Sequence, residues 1–545
     1  MSFTGDDLVG RKVHFKTETE QKSGVIVAQR HPVAFVLCDF DSMNKETTNI
    51  SILKTKTMID VSSSLVGKIV NYLGDNLIRD EGKNSKTMNS SMKAVFEDIP
   101  KVNEISLINS PLLTGITTID ALTPIGKGQN MLIVGDNKEF QRNIVTDILS
   151  KQVKEGTKCV YACTSADKSN RSAILSKLKA ANLLDKIVTV CARDNIDSTF
   201  KVPAAAEAVA VSASACAMAE TFATESGEDT LVIVDVLDFH KDLWDSTTRT
   251  LVDIYGEDSV VKGDLNGSAS SEMRAYYSSL IQRSAKFNKA KGGGSLTLLL
   301  ICSIPTDESS NDEDIVFKPE DFDLTSQKIK ERIEKLVQAN IPLTASTLRK
   351  IQIPIPAATE SSNNYRLFMQ HIDDLISMSD GQIWLVNKDE ENSTKLMLDV
   401  QRSITRIGIG ADTKSRADAP ALQALTGGIR FELAQSLDAM EATSNTADRK
   451  SITKRDAWLL SMYQNPGQIR TLSEECVALM AVKLGVLDNI VNNKSKEEGL
   501  IVMNKMLKHV WNEAGDDMKG IDKTLDFISD ESRTRIENAI ENYFQ

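Results

Sequence analysis

The sequence lacks the features that are typical of membrane-spanning, disulfide-bonded and metal-binding proteins. No apolar run reaches about 18 residues, so we expect no membrane-spanning helix. The seven cysteines are scattered in mostly apolar contexts, as in "VTVCA", which favours free buried thiols over a disulfide framework. The five histidines do not cluster, and no group of residues has the spacing of metal ligands, so no metal site is predicted.

The chain also has fewer basic than acidic residues. Lys and Arg number 64 against 76 Asp and Glu, and the resulting net charge of −12 argues against nucleic-acid binding as the main task. The rest of the composition, 41% hydrophobic and 26% charged, is typical of a globular protein. The length of 545 residues predicts about three domains.

The pattern of apolar residues changes twice along the chain. Residues 1–61 carry short β-rich runs such as "KSGVIVAQ", which predict a small β-barrel or sandwich. Residues 62–412 alternate apolar runs with helical stretches, which predicts an α/β domain around a parallel sheet. Residues 413–545 show amphipathic helical patterns and predict a helical bundle. The acidic stretch at about 306–370 is interpreted as an insertion, either a solvated loop or a partner-docking element.

The segment "MLIVGDNKEFQRNIVTDIL" has the frame of a phosphate-binding loop. An apolar strand leads to Gly135 and Asp136, and an amphipathic helical pattern follows. In such a loop, backbone N–H groups surround the phosphate oxygens, a lysine meets the β- and γ-phosphates, and a Ser or Thr hydroxyl ligates Mg²⁺. The Gly-Lys-Ser/Thr that ends such a loop is missing here. The segment is therefore either a degenerate nucleotide site or a turn that only connects strand to helix.

Several motifs, in the same order along the chain, resemble the alpha subunit of rotary (F-type) ATP synthases. "LLTGITTIDALTPIGKGQNMLIVGD" resembles the segment that leads into the family's phosphate loop, and "ISMSDGQIWL" is similar to "ISITDGQIFL". "SITRIG" stands where the family has "SVSRVG", and "ALTGGIRFELAQ" is similar to "VAGTMKLELAQ", which favours alpha over the catalytic beta subunit. The resemblance implies an N-terminal β-barrel, a central RecA-like α/β domain and a C-terminal helical bundle.

The family's loop reads Gly-Asp-Arg-Gln-Thr-Gly-Lys-Thr, and the matching residues here have lost much of its chemistry. Phe140 replaces the glycine that lets the backbone approach phosphate, Gln141 replaces the lysine, and Arg142 replaces the Mg²⁺-ligating hydroxyl. Lys138 or Arg142 could still meet a phosphate, whereas Glu139 would repel it. We predict no tightly bound cofactor, and binding of ATP and Mg²⁺ only if the degenerate loop still works. The eight positions are Gly135, Asp136, Asn137, Lys138, Glu139, Phe140, Gln141 and Arg142.

Two further residues take their expected roles from the resemblance. Asp235, in "TLVIVDVLD", is the remnant of the Walker B position, where the family has two successive aspartates and this chain has Val236 second. Arg406, in "SITRIG", matches the arginine that the alpha subunit extends to the γ-phosphate bound on a neighbouring beta subunit. The resemblance implies an arginine finger supplied in trans, and the alternative is a structural arginine that pairs with a local carboxylate.

Four other side chains also have candidate roles. Arg283 aligns with an arginine on a helix that faces the same interface. Gln464 and Gln468, in "YQNPGQ", fall where alpha has two glutamines near the adenine, although an inserted proline changes their spacing. Asp167 is a possible substitute for the catalytic carboxylate of the beta subunit.

Two functions remain open. In the first, the chain is a non-catalytic alpha-like subunit in the catalytic head of a proton-translocating ATP synthase, and it presents Arg406 to a beta site. The resemblance then implies a hetero-hexameric ring with beta, contacts with gamma and a peripheral stalk, and membrane contact only through the complex. The expected location is the mitochondrial inner membrane, matrix face, or else the plastid thylakoid membrane. In the second, the chain is a paralogue that acts as a scaffold or regulatory protein without nucleotide chemistry.

Overall fold

A computed structural model gives the fold of most of the chain. It describes residues 7–17, 20–31, 33–38, 48–77, 90–193, 201–256, 260, 268–304, 332–333, 336, 343, 360–386, 397–406, 419–430, 432–433 and 449–545. The chain divides into two compact units, Met1–Ser303 with Met378–Gln545, and Ile304–Ser377. Most of the insertion expected at about 306–370 lies outside the described residues, and the domain boundaries at 61/62 and 412/413 stay predictions.

Seventeen strands lie within the described residues. They are β1 Arg11–Lys16, β2 Gln21–Arg30, β3 Val33–Cys38, β4 Asn49–Lys56, β5 Met58–Val61, β6 Ile69–Val70, β7 Ser91–Ala94, β8 Pro111–Leu112, β9 Ile125–Gly126, β10 Asn130–Gly135, β11 Lys158–Cys163, β12 Val188–Cys191, β13 Asp229–Asp235, β14 Ala285–Lys286, β15 Ser295–Ser303, β16 Gly381–Trp384 and β17 Ile404–Thr405.

Thirteen α-helices lie within the same residues. They are α1 Thr117–Leu122, α2 Lys138–Lys154, α3 Lys168–Ala180, α4 Lys201–Glu225, α5 Asp238–Tyr255, α6 Ser268–Ile281, α7 Glu360–Met378, α8 Pro420–Thr426, α9 Arg449–Met462, α10 Leu472–Lys483, α11 Asp488–Asn493, α12 Lys496–Thr524 and α13 Asp530–Phe544.

The N-terminal region is an antiparallel β-sheet. Its four strands lie in the order β3-β2-β1-β4, and Leu8, Val13 and Ile26 form its small buried core. The β character predicted for residues 1–61 is confirmed. Among the described residues no pairing joins β3 to β4, so closure of this sheet into a barrel stays a prediction.

The central domain is built on a nine-stranded sheet with the order β17-β16-β10-β15-β13-β11-β12-β6, with β14 paired to β15. Strands β16, β10, β15, β13, β11, β12 and β6 run parallel, and only β14 and β17 are antiparallel to their neighbours. Every residue of β10 and β15 is buried, as their continuous apolar runs predicted. The carboxyl ends of β10, β15 and β13 therefore lie side by side, where parallel sheets bind ligands.

Helix α4 is more apolar than the sequence analysis allowed. Val202–Glu225 has a mean hydropathy of 1.5 and is long and apolar enough, by length and composition, to cross a membrane. The sequence analysis considered only unbroken apolar runs and so did not single out this helix, and the expectation of no membrane-spanning helix stays a prediction. The helix packs on β11 and β13, and 89% of its apolar window is buried within the fold, so its composition is that of a core helix.

The C-terminal part is helical, as predicted, wherever the structure describes it. Helix α10 is buried on nearly all sides, and α12 and α13 pack with it. Capping boxes start two of the helices, with Thr471 and Glu474 at α10 and Ser495 and Glu498 at α12. The bundle is joined to the segment before α1, because the Arg470 N–H donates to the Gly115 carbonyl at 3.0 Å.

Candidate functional site

The turn between β10 and α2 is shorter than a phosphate-binding loop. The strand ends at Gly135 and the helix begins at Lys138, so only Asp136 and Asn137 lie between them. Asn137 caps the helix, and its side-chain oxygen accepts the Phe140 N–H at 3.0 Å. The family's loop has eight positions, and the last five of them here belong to the first turns of α2. The N–H at the position of the close-approach glycine is thus bonded within the chain.

Gln141 is fully buried, and its side chain forms hydrogen bonds with two strands of the central sheet. Its Nε2 donates to the carbonyl oxygens of Ile133 at 2.7 Å and Cys302 at 2.8 Å, which ties the ends of β10 and β15 together. Its Oε1 finds no hydrogen-bond partner among the described residues. The side chain at the position of the phosphate lysine is therefore held against the backbone.

Arg142 forms a buried ion pair with Asp235. Its Nε donates to Asp235 Oδ1 at 3.0 Å, and its NH1 donates to Asn170 Oδ1 at 3.3 Å. Asp235 is only 1% exposed, and burial raises the pKa of its carboxyl while the guanidinium counteracts that rise. Burial is the largest single effect on the pKa of Arg142 and lowers it, but the charge of Asp235, the hydrogen bond to it and the smaller effects of Tyr161 and Glu139 together raise that pKa. The guanidinium supplies the positive charge at the end of β13.

Lys138 and Glu139, the charged residues of the first helical turn, also have partners. Glu139 binds Lys177 Nζ at 2.9 Å and Arg142 NH1 at 3.2 Å, and the hydrogen bond from Lys177 lowers the pKa of Glu139. Lys138 Nζ lies 3.4 Å from Asp238 Oδ2, with 49% of its side chain exposed. The cations that could have met a phosphate thus lie among carboxylates.

Val236, which follows Asp235, has an unusual backbone conformation. Its φ is +73°, a region that β-branched residues rarely adopt. The Thr164 hydroxyl bonds the carbonyl oxygens of both Asp235 and Val236 and so holds this turn. Strained backbone of this kind concentrates at functional sites, and here it follows the Walker B position.

Arg406 follows β17 at an edge of the central sheet. Its backbone N–H donates to the Asp380 carbonyl at 2.8 Å, and its NH2 donates to the carbonyl and hydroxyl of Ser379 at 2.9 and 3.0 Å. NH1 donates to Gln382 Oε1. Burial lowers the pKa of Arg406, and the negative charge of Asp380 offsets part of that effect. Its guanidinium is thus oriented by residues at the start of β16.

The Arg406 region and the degenerate loop lie at opposite ends of β10. Asp380 Oδ2 accepts the backbone N–H of Asn130 at 3.1 Å, and Asn130 is the first residue of β10. Gly135 is the last residue of that strand, five residue steps or about 16 Å away. Arg406 therefore cannot contact a phosphate at the loop of its own chain.

Gln464 and Gln468 are engaged within the chain. Gln464 Oε1 accepts the Thr117 N–H at 2.7 Å, and its Nε2 donates to the Gly115 carbonyl at 2.8 Å. Gln468 Nε2 donates to Asn504 Oδ1 at 2.8 Å. The Gln464 amide thus joins the helical tail to the start of α1, and the Gln468 amide forms a contact within the tail.

Arg283 and Asp167 have partners within the chain. Arg283 is 1% exposed and its NH2 donates to Glu220 Oε2 at 2.8 Å, so its side chain is engaged inside the fold, and the assignment of its helix to an interface stays a prediction. Asp167 caps α3 by accepting the N–H groups of Ser169 and Asn170 at 3.1 and 3.3 Å. A helix cap explains this aspartate without a catalytic role.

Comparison with known proteins gives a consistent family. Residues 115–313 match the ATP synthase alpha/beta family, nucleotide-binding domain. ATP synthase subunit alpha of Orientia tsutsugamushi is 25% identical over 504 residues, 90% of this chain and 81% of the relative. The chain is thus similar to the alpha subunits of ATP synthases. Subunit alpha of Dictyoglomus turgidum is 23% identical over 502 residues, 91% of this chain and 82% of the relative. That of Clostridium botulinum is 25% identical over 379 residues, 69% and 58% of the two chains.

The alpha-like chain contains one arrangement that sequence reasoning missed, the ion pair between Arg142 and Asp235. Two signals were present in the sequence, a cation at the position of the metal-ligating hydroxyl and a retained strand-end aspartate. Together they predict a pair, because a buried carboxylate needs a positive charge from a metal or from a side chain. The sequence analysis described the aspartate only as the remnant of the Walker B position.

Proposed function

We propose that this alpha-like protein is a non-catalytic subunit in the catalytic head of a proton-translocating ATP synthase. Its own nucleotide site is no longer used, and it serves the beta subunit by presenting Arg406. The observation that carries the proposal is the buried pair of Arg142 and Asp235, which puts a side-chain cation where the family holds a metal. In the family, alpha sites bind nucleotide without turning it over, so such a loss is compatible with ATP synthesis.

The residues of the loop do not fit Mg²⁺ and nucleotide. In phosphate-loop proteins a Ser or Thr hydroxyl and the Walker B aspartate hold the metal. Here Arg142 replaces the hydroxyl and lies 3.0 Å from Asp235, so a divalent cation would have to displace a buried guanidinium or sit beside it. Gln141 is neutral, and its amide is committed to two backbone carbonyls. No step of the proposed function passes through this site.

The role proposed for Arg406 rests on its position. It lies at the opposite end of β10 from its own loop, and its motif has the register of the family's arginine finger. Ser379 and Gln382 orient its guanidinium from the same chain. An arginine supplied in trans stabilises the charge that develops on the transferred phosphoryl group. Arg406 would act on the beta site in this way.

The proposed assembly follows the named relatives. Each of them is an ATP synthase subunit alpha, so the proposed partners are beta subunits in a hetero-hexameric ring, the gamma subunit and a peripheral stalk. The membrane is reached only through the complex. The proposed location is the matrix face of the mitochondrial inner membrane, with the plastid thylakoid membrane as the alternative.

A second candidate is a scaffold or regulatory paralogue without nucleotide chemistry. The observation in its favour is that the Arg406 guanidinium bonds Ser379 and Gln382 of its own chain, as a structural arginine would. We rank it second because such bonds also orient an arginine that reaches a partner.

Purification of the tagged chain from its native cells separates the two candidates. Co-purification of beta, gamma and membrane-sector subunits in stoichiometric amounts supports the head subunit. Isolation as a single protein, or with partners unrelated to an ATP synthase, would favour the scaffold. An Arg406→Ala chain purified in parallel is the control, since it should retain the same partners if the arginine acts on chemistry alone.

A further inference from the structure

Two polar residues at the edge of the central sheet bond each other reciprocally. Asn130 Oδ1 accepts the Asp380 N–H at 2.8 Å, and Asp380 Oδ2 accepts the Asn130 N–H at 3.1 Å and Asn130 Nδ2 at 2.9 Å. Asn130 is the first residue of β10, and Asp380 directly precedes β16. We call these three hydrogen bonds the Asn130–Asp380 clasp. They join the starts of two neighbouring parallel strands.

The amide of Asn130 is matched to its surroundings. The residue is 4% exposed, and its Nδ2 also donates to Ser284 Oγ at 3.0 Å. An amide has an oxygen that accepts and an NH2 group that donates, and here the oxygen faces the Asp380 N–H while the NH2 group faces the Asp380 carboxylate. A side chain with an acceptor in both positions would oppose the carboxylate.

Asp380 connects the clasp to Arg406. Its carbonyl accepts the Arg406 N–H at 2.8 Å, so the residue that bonds Asn130 also holds the backbone of the arginine. Its neighbour Ser379 accepts Arg406 NH2 on its carbonyl and hydroxyl at 2.9 and 3.0 Å, and Gln382 Oε1 accepts NH1. A shift of the chain at Asp380 would therefore move both the backbone and the guanidinium of Arg406.

The backbone beside Asp380 has little room to absorb such a shift. A Cβ added to Gly381 would lie 2.5 Å from the Ile404 carbonyl oxygen and 2.7 Å from Met131 Sδ, closer than packed atoms approach. The start of β16 is thus in close contact with β17 on one side and β10 on the other. Because close-packed interiors transmit displacements, the position of Asp380 determines that of Arg406.

We propose that Asn130 is a positioning residue for Arg406 and acts through Asp380. Asn130 fixes the turn from which the exposed arginine extends, and it touches no substrate itself. The inference rests on the proposed function, in which Arg406 reaches a phosphoryl group bound on a beta subunit. Position matters for such a contact, because a displacement of about 1 Å can lower a rate by about 10²-fold.

Asn130→Asp tests the proposal in the assembled complex. The variant keeps the oxygen that accepts the Asp380 N–H, but it puts a second carboxylate against that of Asp380, and repulsion opens the clasp. We expect kcat to fall by about 10- to 100-fold while KM changes by less than about threefold, because a contact made only in the transition state is weakened. Asn109→Asp, the same change at an exposed position, is the matched control and should turn over as the wild type.

Two double variants separate positioning from a general effect on folding. Asp380→Asn added to Asn130→Asp again puts an amide opposite a carboxylate and should recover much of the lost rate. In the Arg406→Ala background, Asn130→Asp should lower turnover by no more than about twofold, because the side chain it positions is already gone. An equal loss with and without Arg406, or no recovery in the exchanged pair, would overturn the proposal.

Hydrogen exchange of the isolated full-length chain makes this test independent of the proposed function. Protection of the Arg406 N–H, which bonds the Asp380 carbonyl, should fall by about tenfold in Asn130→Asp and return in the exchanged pair. Asn130→Ala, which removes the side-chain bonds without adding charge, should lower it as well and serves if Asn130→Asp does not fold. Unchanged protection in a folded variant would contradict the role of Asn130. Full turnover by an Arg406→Ala complex would instead contradict the proposed function, and the exchange data would still decide whether Asn130 holds Arg406.

Discussion

The Arg142 guanidinium lies against the Asp235 carboxylate, with 3.0 Å between Nε and Oδ1, at the point where β13 ends beside β15 and β11. Both side chains are buried. The pair gives the aspartate a countercharge from within the chain. It also binds α2 to the sheet, because Arg142 belongs to the helix and Asp235 to a core strand.

Breaking this pair should destabilise the protein. Arg142→Thr leaves Asp235 buried without a partner, which we expect to cost about 3–5 kcal/mol in the free energy of unfolding. Adding Asp235→Asn to it should recover a large part of the loss, since the amide has no charge to compensate. Urea denaturation followed by circular dichroism gives the double-mutant cycle. Lys138→Thr, which removes an exposed cation from the same helical turn, should change stability by less than about 1 kcal/mol. A coupling energy near zero would show that the pair is not the stabilising contact.

Calorimetry should show no measurable binding of ATP with Mg²⁺ to the wild-type chain. The reason is that Phe140, Gln141 and Arg142 all occupy positions where the loop's chemistry is needed, and two of them are committed to internal partners. Titration of ATP with and without Mg²⁺ checks this. A Kd in the micromolar range or tighter would contradict the proposal that the site is lost.

Restoring the three positions together should restore binding. The variant with Phe140→Gly, Gln141→Lys and Arg142→Thr regains the glycine, the lysine and the hydroxyl, and the aspartate after β13 is still present. Gln141→Lys alone should bind no nucleotide, because Arg142 still pairs with Asp235 and α2 still begins at Lys138. Both variants need the same calorimetric titration, with folding checked by circular dichroism. Binding by the single variant would mean that the guanidinium does not block the site.

His240 should make the protein less stable in mild acid. It is buried at the start of α5, and burial lowers its pKa to about 3. The unfolded chain takes up a proton on this residue below about pH 6.5 and the folded chain does not, so stability present above that pH is lost as the pH falls. The expected slope is about 1.4 kcal/mol per pH unit in this range. His240→Gln should flatten the slope of the urea midpoint against pH, whereas His14→Gln at the partly exposed N-terminal sheet should leave it as in the wild type.

Much of the fold could be predicted because its signals are local. The continuous apolar runs of β10, β13 and β15 predicted a buried parallel sheet, and all three strands lie in it. The glycine run before β15 is also a local signal for a tight turn, and Gly292 and Gly293 have φ values of +101° and +81°. The sequence analysis did not predict that the long helix α4 would be this apolar, because each of its many alanines is only weakly hydrophobic.

The site was harder to predict because its contacts are distant in the sequence. That three residues of the loop had changed could be seen in the sequence, but where their side chains lie could not. Gln141 reaches the carbonyl of Cys302, and Arg142 reaches Asp235, so the partners become visible only in the folded sheet. The partner of Arg283 was hidden in the same way, since Glu220 lies on the buried helix α4.

The most direct test of the proposed function is the ATP turnover of the assembled complex that contains Arg406→Ala. We expect a loss of about 10³-fold or more, because an arginine supplied in trans contributes on that scale, with the same subunits still assembled. Arg406→Lys keeps the positive charge but lacks the planar guanidinium group, so it should recover only part of the turnover rate. The control is Arg402→Ala, which removes a nearby arginine whose guanidinium stacks on Trp384 at 4.9 Å, and which should turn over as the wild type. Unchanged turnover in an intact Arg406→Ala complex would contradict the account.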